Sequence, residues 1–217
     1  MKLHRIAVFA CLLGFVAPAA AQQRNIHFEL LQATRDGSEA TARALLDQGA
    51  NPDSRNRFGD TPLNTAARTG QLGMAKLLIE RGAEVNRQNL ARVTPLMSAA
   101  FNGHAEIVRL LIAHQAELHA VDRVQKTAMV YAAGGGRTEC VSLLLDAGID
   151  VNARYANEVT ALMWAAADGH ADTVKLLLAR GADAAARDNR GMSALAMAAE
   201  EKKIAAAELL RAAGAKE

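Results

Sequence analysis

The chain has 217 residues, 51% of them hydrophobic and 4% aromatic, with 25 Lys and Arg against 23 Asp and Glu. A balance so near neutral excludes the long-range basic field by which proteins hold nucleic acid or an anionic membrane surface. Only two cysteines occur, Cys11 and Cys140.

Residues 1–21 read as a secretory signal peptide. Lys2 and Arg5 make a positive start, residues 6–16 form an apolar run, and Ala19, Ala20 and Ala21 supply the small residues that a signal peptidase requires. The run has eleven residues, too few to span a bilayer that needs about 20. Cleavage after Ala21 leaves Gln22 as the mature start, and an uncleaved anchor is the alternative. A lipidated Cys11 fits poorly, because bulky Phe9 lies just before it and the apolar run continues beyond it. Loss of Lys2 and Arg5 brings Lys and Arg down from 25 to 23, equal to the acidic residues. Only Cys140 survives, and one thiol makes no internal disulfide. The expected compartment is the periplasm of a Gram-negative bacterium, with secretion as the second choice.

Residues 22–60 form a degenerate first unit, with helices expected near 28–35 and 38–48. From residue 61 the chain repeats every 33 residues without insertion, in units 61–93, 94–126, 127–159, 160–192 and a truncated 193–217. Four columns carry the register. The first is Thr61-Pro62-Leu63, Thr94-Pro95-Leu96, Thr127-Ala128-Met129, Thr160-Ala161-Leu162 and Ser193-Ala194-Leu195. An Ala-Ala pair follows in every unit, from Ala66-Ala67 to Ala198-Ala199; then come Gly70, Gly103, Gly136 and Gly169, and Leu-Leu pairs from Leu77-Leu78 to Leu209-Leu210.

Each column has a physical reason. A Thr hydroxyl caps a helix, and Pro at the first helical position loses no needed hydrogen bond. Paired alanines let helices approach closely, glycine supplies the positive φ that ends the first helix, and apolar residues at i, i+3, i+4 make an amphipathic second helix. The fold class is therefore all-α, a solenoid of stacked helix-turn-helix units. The outward charges of the terminal units (Glu29, Arg35, Arg43; Lys202, Lys203, Glu208, Arg211) suit the polar caps that such arrays need.

Residues 61–215 resemble ankyrin repeats. Thr94-Pro95-Leu96, Gly103-His104, Glu106-Ile107-Val108, Gly169-His170 and Gly181-Ala182-Asp183 are close copies of that family's segments. The chain departs from the family where Asn64, Met97, Val130, Met163 and Ala196 replace its usual His; Met and Val there imply apolar packing in place of side-chain hydrogen bonds. Gln115 replaces the turn glycine seen as Gly82, Gly148 and Gly181, at an expected steric cost of about 1 kcal/mol or more if the left-handed turn is kept.

Candidate chemistry is sparse. His104 and His170 lie two repeats apart, too far to share a metal, and the resemblance gives them a structural place at the turn. His114 and His119 lack a third ligand at metal spacing. Cys140 shares a column with Met74, Ile107 and Thr173, which reads as buried. Gly134-Gly135-Gly136 lacks the Lys-Ser/Thr of a phosphate loop; it reads as a shortened helix, or as room for a partner's backbone. No catalytic residue, metal or cofactor is expected.

The resemblance implies protein-protein recognition through the loop tips and the exposed side of the first helices. Carried over, those positions include Arg57, Phe58 and Arg68, then Leu90, Phe101 and Asn102. Arg123 and Lys126 follow, then Asn157, Asp168 and Arg190. Tyr131 and Trp164 occupy one column a repeat apart, which reads as inter-repeat packing that leaves an edge for a partner; Tyr155 is a weaker anchor on a loop tip. The expected protein is a monomeric scaffold that binds one or more proteins and no nucleic acid, with no stable membrane insertion after signal cleavage. Alternatives are a protector or immunity partner of one periplasmic toxin or enzyme, and a secreted effector aimed at host proteins.

Overall fold

The computed structural model describes residues 19–216. Residues 1–18, with the positive start and apolar run of the expected signal, lie outside the described residues. The expected cleavage point at Ala21 falls within the first helix, α1, Ala19–Arg35.

Among the described residues the chain forms twelve α-helices and no strand, with one isolated bridge between Arg187 and Ser193. α1 pairs with α2, Glu39–Asp47. The units that follow pair α3, Pro62–Thr69, with α4, Leu72–Glu80, and α5, Pro95–Asn102, with α6, Ala105–Ala113. Next come α7, Ala128–Gly134, with α8, Thr138–Asp146, and α9, Ala161–Asp168, with α10, Ala171–Ala179. α11, Ala194–Glu200, and α12, Ile204–Ala212, close the stack. First helices pack on first helices and second on second, the first set more closely, so the stack curves with its first helices on the concave side.

From α3 onward each first helix starts on its Thr or Ser. The Thr61 hydroxyl accepts from the Asn64 amide at 3.1 Å, and Thr94, Thr127, Thr160 and Ser193 repeat the contact with Met97, Val130, Met163 and Ala196. The alanine pairs from Ala66-Ala67 to Ala165-Ala166 are wholly buried, which is why larger residues find no room between first helices. Leu78, Leu111, Leu144, Leu177 and Leu210 run as one buried row through the second helices. Each is worth about 1.5–3 kcal/mol in transfer alone.

Asn64, in the first full unit, keeps side-chain hydrogen bonds at the position of the family's His. Asn64 Oδ1 accepts from the Thr61 amide and hydroxyl, and its Nδ2 donates to the Val93 carbonyl in the next loop. Met97 and Met163 offer only sulfur at 3.5 Å to the Thr94 and Thr160 amides, a weaker acceptor. Gln115 holds φ +62°, the left-handed conformation of Gly82, Gly148 and Gly181. Gln115→Gly removes a steric cost of about 1–2 kcal/mol and adds back about 0.5–1 kcal/mol of unfolded-state entropy. We expect a melting temperature about 2 °C higher by scanning calorimetry; no rise means that the turn relaxes around Gln115.

Polar rows stitch neighbouring units together. His104 Nε2 lies 3.2 Å from the Arg68 carbonyl, Arg137 Nε donates to the Phe101 carbonyl at 3.0 Å, and His170 Nε2 lies 2.8 Å from the Gly134 carbonyl. On the loop tips, the Leu90 amide donates to Phe58, Arg123 to Ala91 and Asn189 to Asn157. Beneath them, Asp53, Asn86 and Asn152 accept from the amides of Glu84, Glu117 and Asp183.

Two of these rows break at one junction, between loop 115–126 and loop 148–159. No bond joins Ala156 to Val124 there, and His119 stands where Asn86 and Asn152 make their contacts. His119→Asn places an amide opposite the Asp150 N–H and the Gly148 carbonyl. The expected gain is about 1 kcal/mol by urea unfolding, and an unchanged midpoint contradicts it.

Candidate functional site

The concave strip is built from loop tips and the exposed sides of α3, α5, α7, α9 and α11. An Asn or Asp side chain shapes most of the tips. Asn56 Oδ1 accepts from the Phe58 and Asp60 amides, Asn89 Oδ1 from Ala91 and Val93, Asp122 Oδ1 from Val124 and Lys126, and Asp188 Oδ1 from Arg190 and Met192. These turns cap their own amides and leave the tip side chains pointing to solvent. Phe58 is 56% exposed, Leu90 55% and Val124 66%.

Tyr155 is the exception. It takes the place of the Asn or Asp, a 3-10 turn follows at Ala156–Glu158, and Asn157 and Glu158 both have positive φ. Its hydroxyl is buried, and burial pushes the phenol up to about 12. Tyr155 therefore packs inward, which corrects the expectation of a loop-tip anchor.

The middle of the strip is aromatic. Phe101, 52% exposed, meets Tyr131 edge to face, with ring centroids 5.5 Å apart and planes at 81°. The Tyr131 hydroxyl donates to Asp122 Oδ2. Burial first, then that carboxylate, raises the phenol above its ordinary range, so it stays protonated and serves as a donor. The Lys126 ammonium lies 4.6 Å from the Trp164 ring centroid and 5.6 Å from that of Tyr131. The two rings thus flank a cation, and the ring partner of Tyr131 is Phe101. Such cation-π contacts are worth about 0.5–1 kcal/mol at exposed sites.

α7 ends at Gly134, one residue earlier than its counterparts in the neighbouring units. A Cβ there would lie 3.2 Å from Asp168 Oδ2 and 3.6 Å from Trp164 Cε3. The bare backbone therefore gives the Trp164 ring its seat.

Three hollows follow the strip. One of about 440 Å³ lies between Phe28, Arg35, Arg57 and Phe58. A second, about 340 Å³, is lined by Asp60, Arg68, Met97, Phe101, Asn102 and Tyr131. A third, about 400 Å³, lies between Asn157, Trp164, Asp188 and Arg190. Arg123 and Asp168 are exposed beside them. Phe28, 60% exposed, was missed by sequence reasoning because it falls where later units carry their capping Thr.

Nothing along the strip converges as a catalytic constellation does. Among the described residues no three His, Cys, Asp or Glu side chains could hold a metal ion, and no helix is long and apolar enough to cross a membrane. Cys140 is 1% exposed, and burial, aided by the Glu139 charge, pushes its thiol up to about 11. It is a small core residue.

Comparison with curated proteins finds no match. The family model of ankyrin repeats, in three copies, matches residues 8–89, 88–155 and 151–216, nearly the whole chain.

Proposed function

The chain belongs to the ankyrin-repeat family, and from that premise we propose that it is a non-enzymatic scaffold of the bacterial periplasm that captures a partner protein on its concave face. Ankyrin repeats in general mediate protein-protein interaction, and proteins built from them are typically binding scaffolds. The observation that carries the reading is the row of outward apolar side chains Phe58, Leu90, Phe101 and Val124 along one face, each more than half exposed. A scattered apolar residue needs no explanation, whereas four on the loop tips and first helices of successive units, among Arg and Asn, have the composition of a recognition surface. The stacked units hold this row rigid before any partner arrives, which keeps the ordering cost of binding low. The signal-like N-terminus is what supports the periplasmic location and the mature start at Gln22.

The test is crosslinked co-purification from the exporting compartment with Phe58→Ala and Phe101→Ala. Both side chains are exposed, so the variants fold. Each is expected to weaken partner capture at least about tenfold, as truncation of an anchor of about 1.4 kcal/mol or more requires. Capture unchanged by both variants overturns the concave-face reading. Fractionation and N-terminal sequencing test the location: a chain starting at Gln22 in the periplasmic fraction is expected, and full-length chain in the cytoplasm contradicts it.

A further inference from the structure

The mature chain is near neutral, yet the strip is polarised. Its first half carries Arg57, Arg68 and Arg123, all exposed and without a carboxylate partner among the described residues. The acids beside them are already engaged: Asp60 receives Asn56 and Asn89, and Asp122 receives Tyr131 and two backbone amides. The second half presents Asp168, Glu200 and Glu201 to solvent, and its Arg190 is already paired with Asp188. The change of sign comes after Arg123 and Lys126, at the junction where the tip-to-tip bonding also lapses.

Arg92 extends the basic half. It holds φ +62° where Gly59 and Gly191 occupy the equivalent turn position, so a charged side chain sits in a left-handed conformation that favours glycine.

From this charge pattern, and resting on the concave-face reading, we infer that the first half of the strip takes an extended acidic segment of the partner, with an apolar side chain between its carboxylates. Arg57, Leu90 and Arg123 form one column at successive tips. Units of this kind step by about 8–10 Å, so Arg57 and Arg123 are about 20 Å apart, the reach of roughly six extended residues. An even spacing keeps both carboxylates on one face of an extended chain. The apolar residue between them meets Leu90 and the hollow between Arg68, Phe101 and Tyr131. Arginine is suited to the role because its planar fork binds a carboxylate through two parallel hydrogen bonds.

The test uses fluorescein-labelled synthetic peptides and the full mature chain, read by anisotropy and by the fluorescence of the single Trp164. One peptide carries two glutamates at the stated spacing around Leu and Phe; a second has lysines in their place, and a third has Leu and Phe replaced by Ala. The glutamate peptide is expected to bind, more weakly at higher salt, and the lysine and alanine peptides at least about tenfold less tightly. Arg57→Glu with Arg123→Glu is expected to exchange the preference, releasing the glutamate peptide and accepting the lysine one. No binding of the glutamate peptide overturns the inference. So does tighter binding of the lysine peptide to the unaltered chain, or a double variant that still prefers glutamate. If partner capture falls with Phe58→Ala and Phe101→Ala but is indifferent to the arginine reversals, only the acidic-segment inference fails. If capture ignores the phenylalanines as well, the concave-face reading fails with it.

Discussion

Leu144→Ala is expected to lower the stability of the solenoid by about 2–5 kcal/mol, the usual range for emptying a fully buried leucine site. Leu144 is completely buried in α8, in the row of second-helix leucines that holds neighbouring units together. The loss falls beside the one junction where the tip row and the Asn row both lapse. In a one-dimensional array, stability is a sum of unit and interface contributions, so damage at the weakest interface separates the array into parts. Trp164 lies beyond that junction and is the single tryptophan. In urea its fluorescence is therefore expected to change at lower denaturant than the far-UV circular dichroism of the whole chain. A variant whose two signals still coincide, or whose midpoint shifts by less than about 1 kcal/mol, contradicts the weak-junction account.

Gly136→Ala is expected to cost about 2–3 kcal/mol, from two separable causes. Gly136 has φ +65°, so an L side chain there costs about 1–2 kcal/mol of backbone strain. A Cβ would also lie 2.5 Å from His170 Nδ1 and 2.7 Å from Cγ, which forces the ring away. The contact of His170 Nε2 with the Gly134 carbonyl is then lost, at about 1 kcal/mol. A double-mutant cycle separates the two: with His170→Ala already present, Gly136→Ala is expected to cost only its strain. Full additivity of the two changes means that the ring does not depend on the glycine.

The repeat register was legible because each column answers a local need. Thr61 and its copies cap, the alanine pairs permit close approach, and glycine follows the first helices up to α9; such needs show at fixed spacing in one chain. The left-handed turn at Gln115 was legible for the same reason, since its neighbours in the column are glycines. What escaped was whatever depends on a partner from another unit. Asn64 signals its bond to Val93 only when the next loop is in place. His119 and Tyr155 were visible as departures from their columns, but their consequence lies in the bonds that their replacements no longer make. Lys126 reaches Trp164 across a long flexible stem, and no spacing rule marks that contact. The candidate strip was legible as positions, through the resemblance. Its charge polarity was hidden because the acids of the first half cancel its arginines in any count along the chain, while the folded turns sequester Asp60 and Asp122.

The most direct measurement of the central claim is site-specific photocrosslinking in living cells. A photoreactive residue is placed at Phe101 on the concave face, or at Lys175, exposed on the second-helix side in α10. A partner adduct from position 101 and none from 175 is the predicted result. An adduct from 175 with none from 101 contradicts recognition through the concave face.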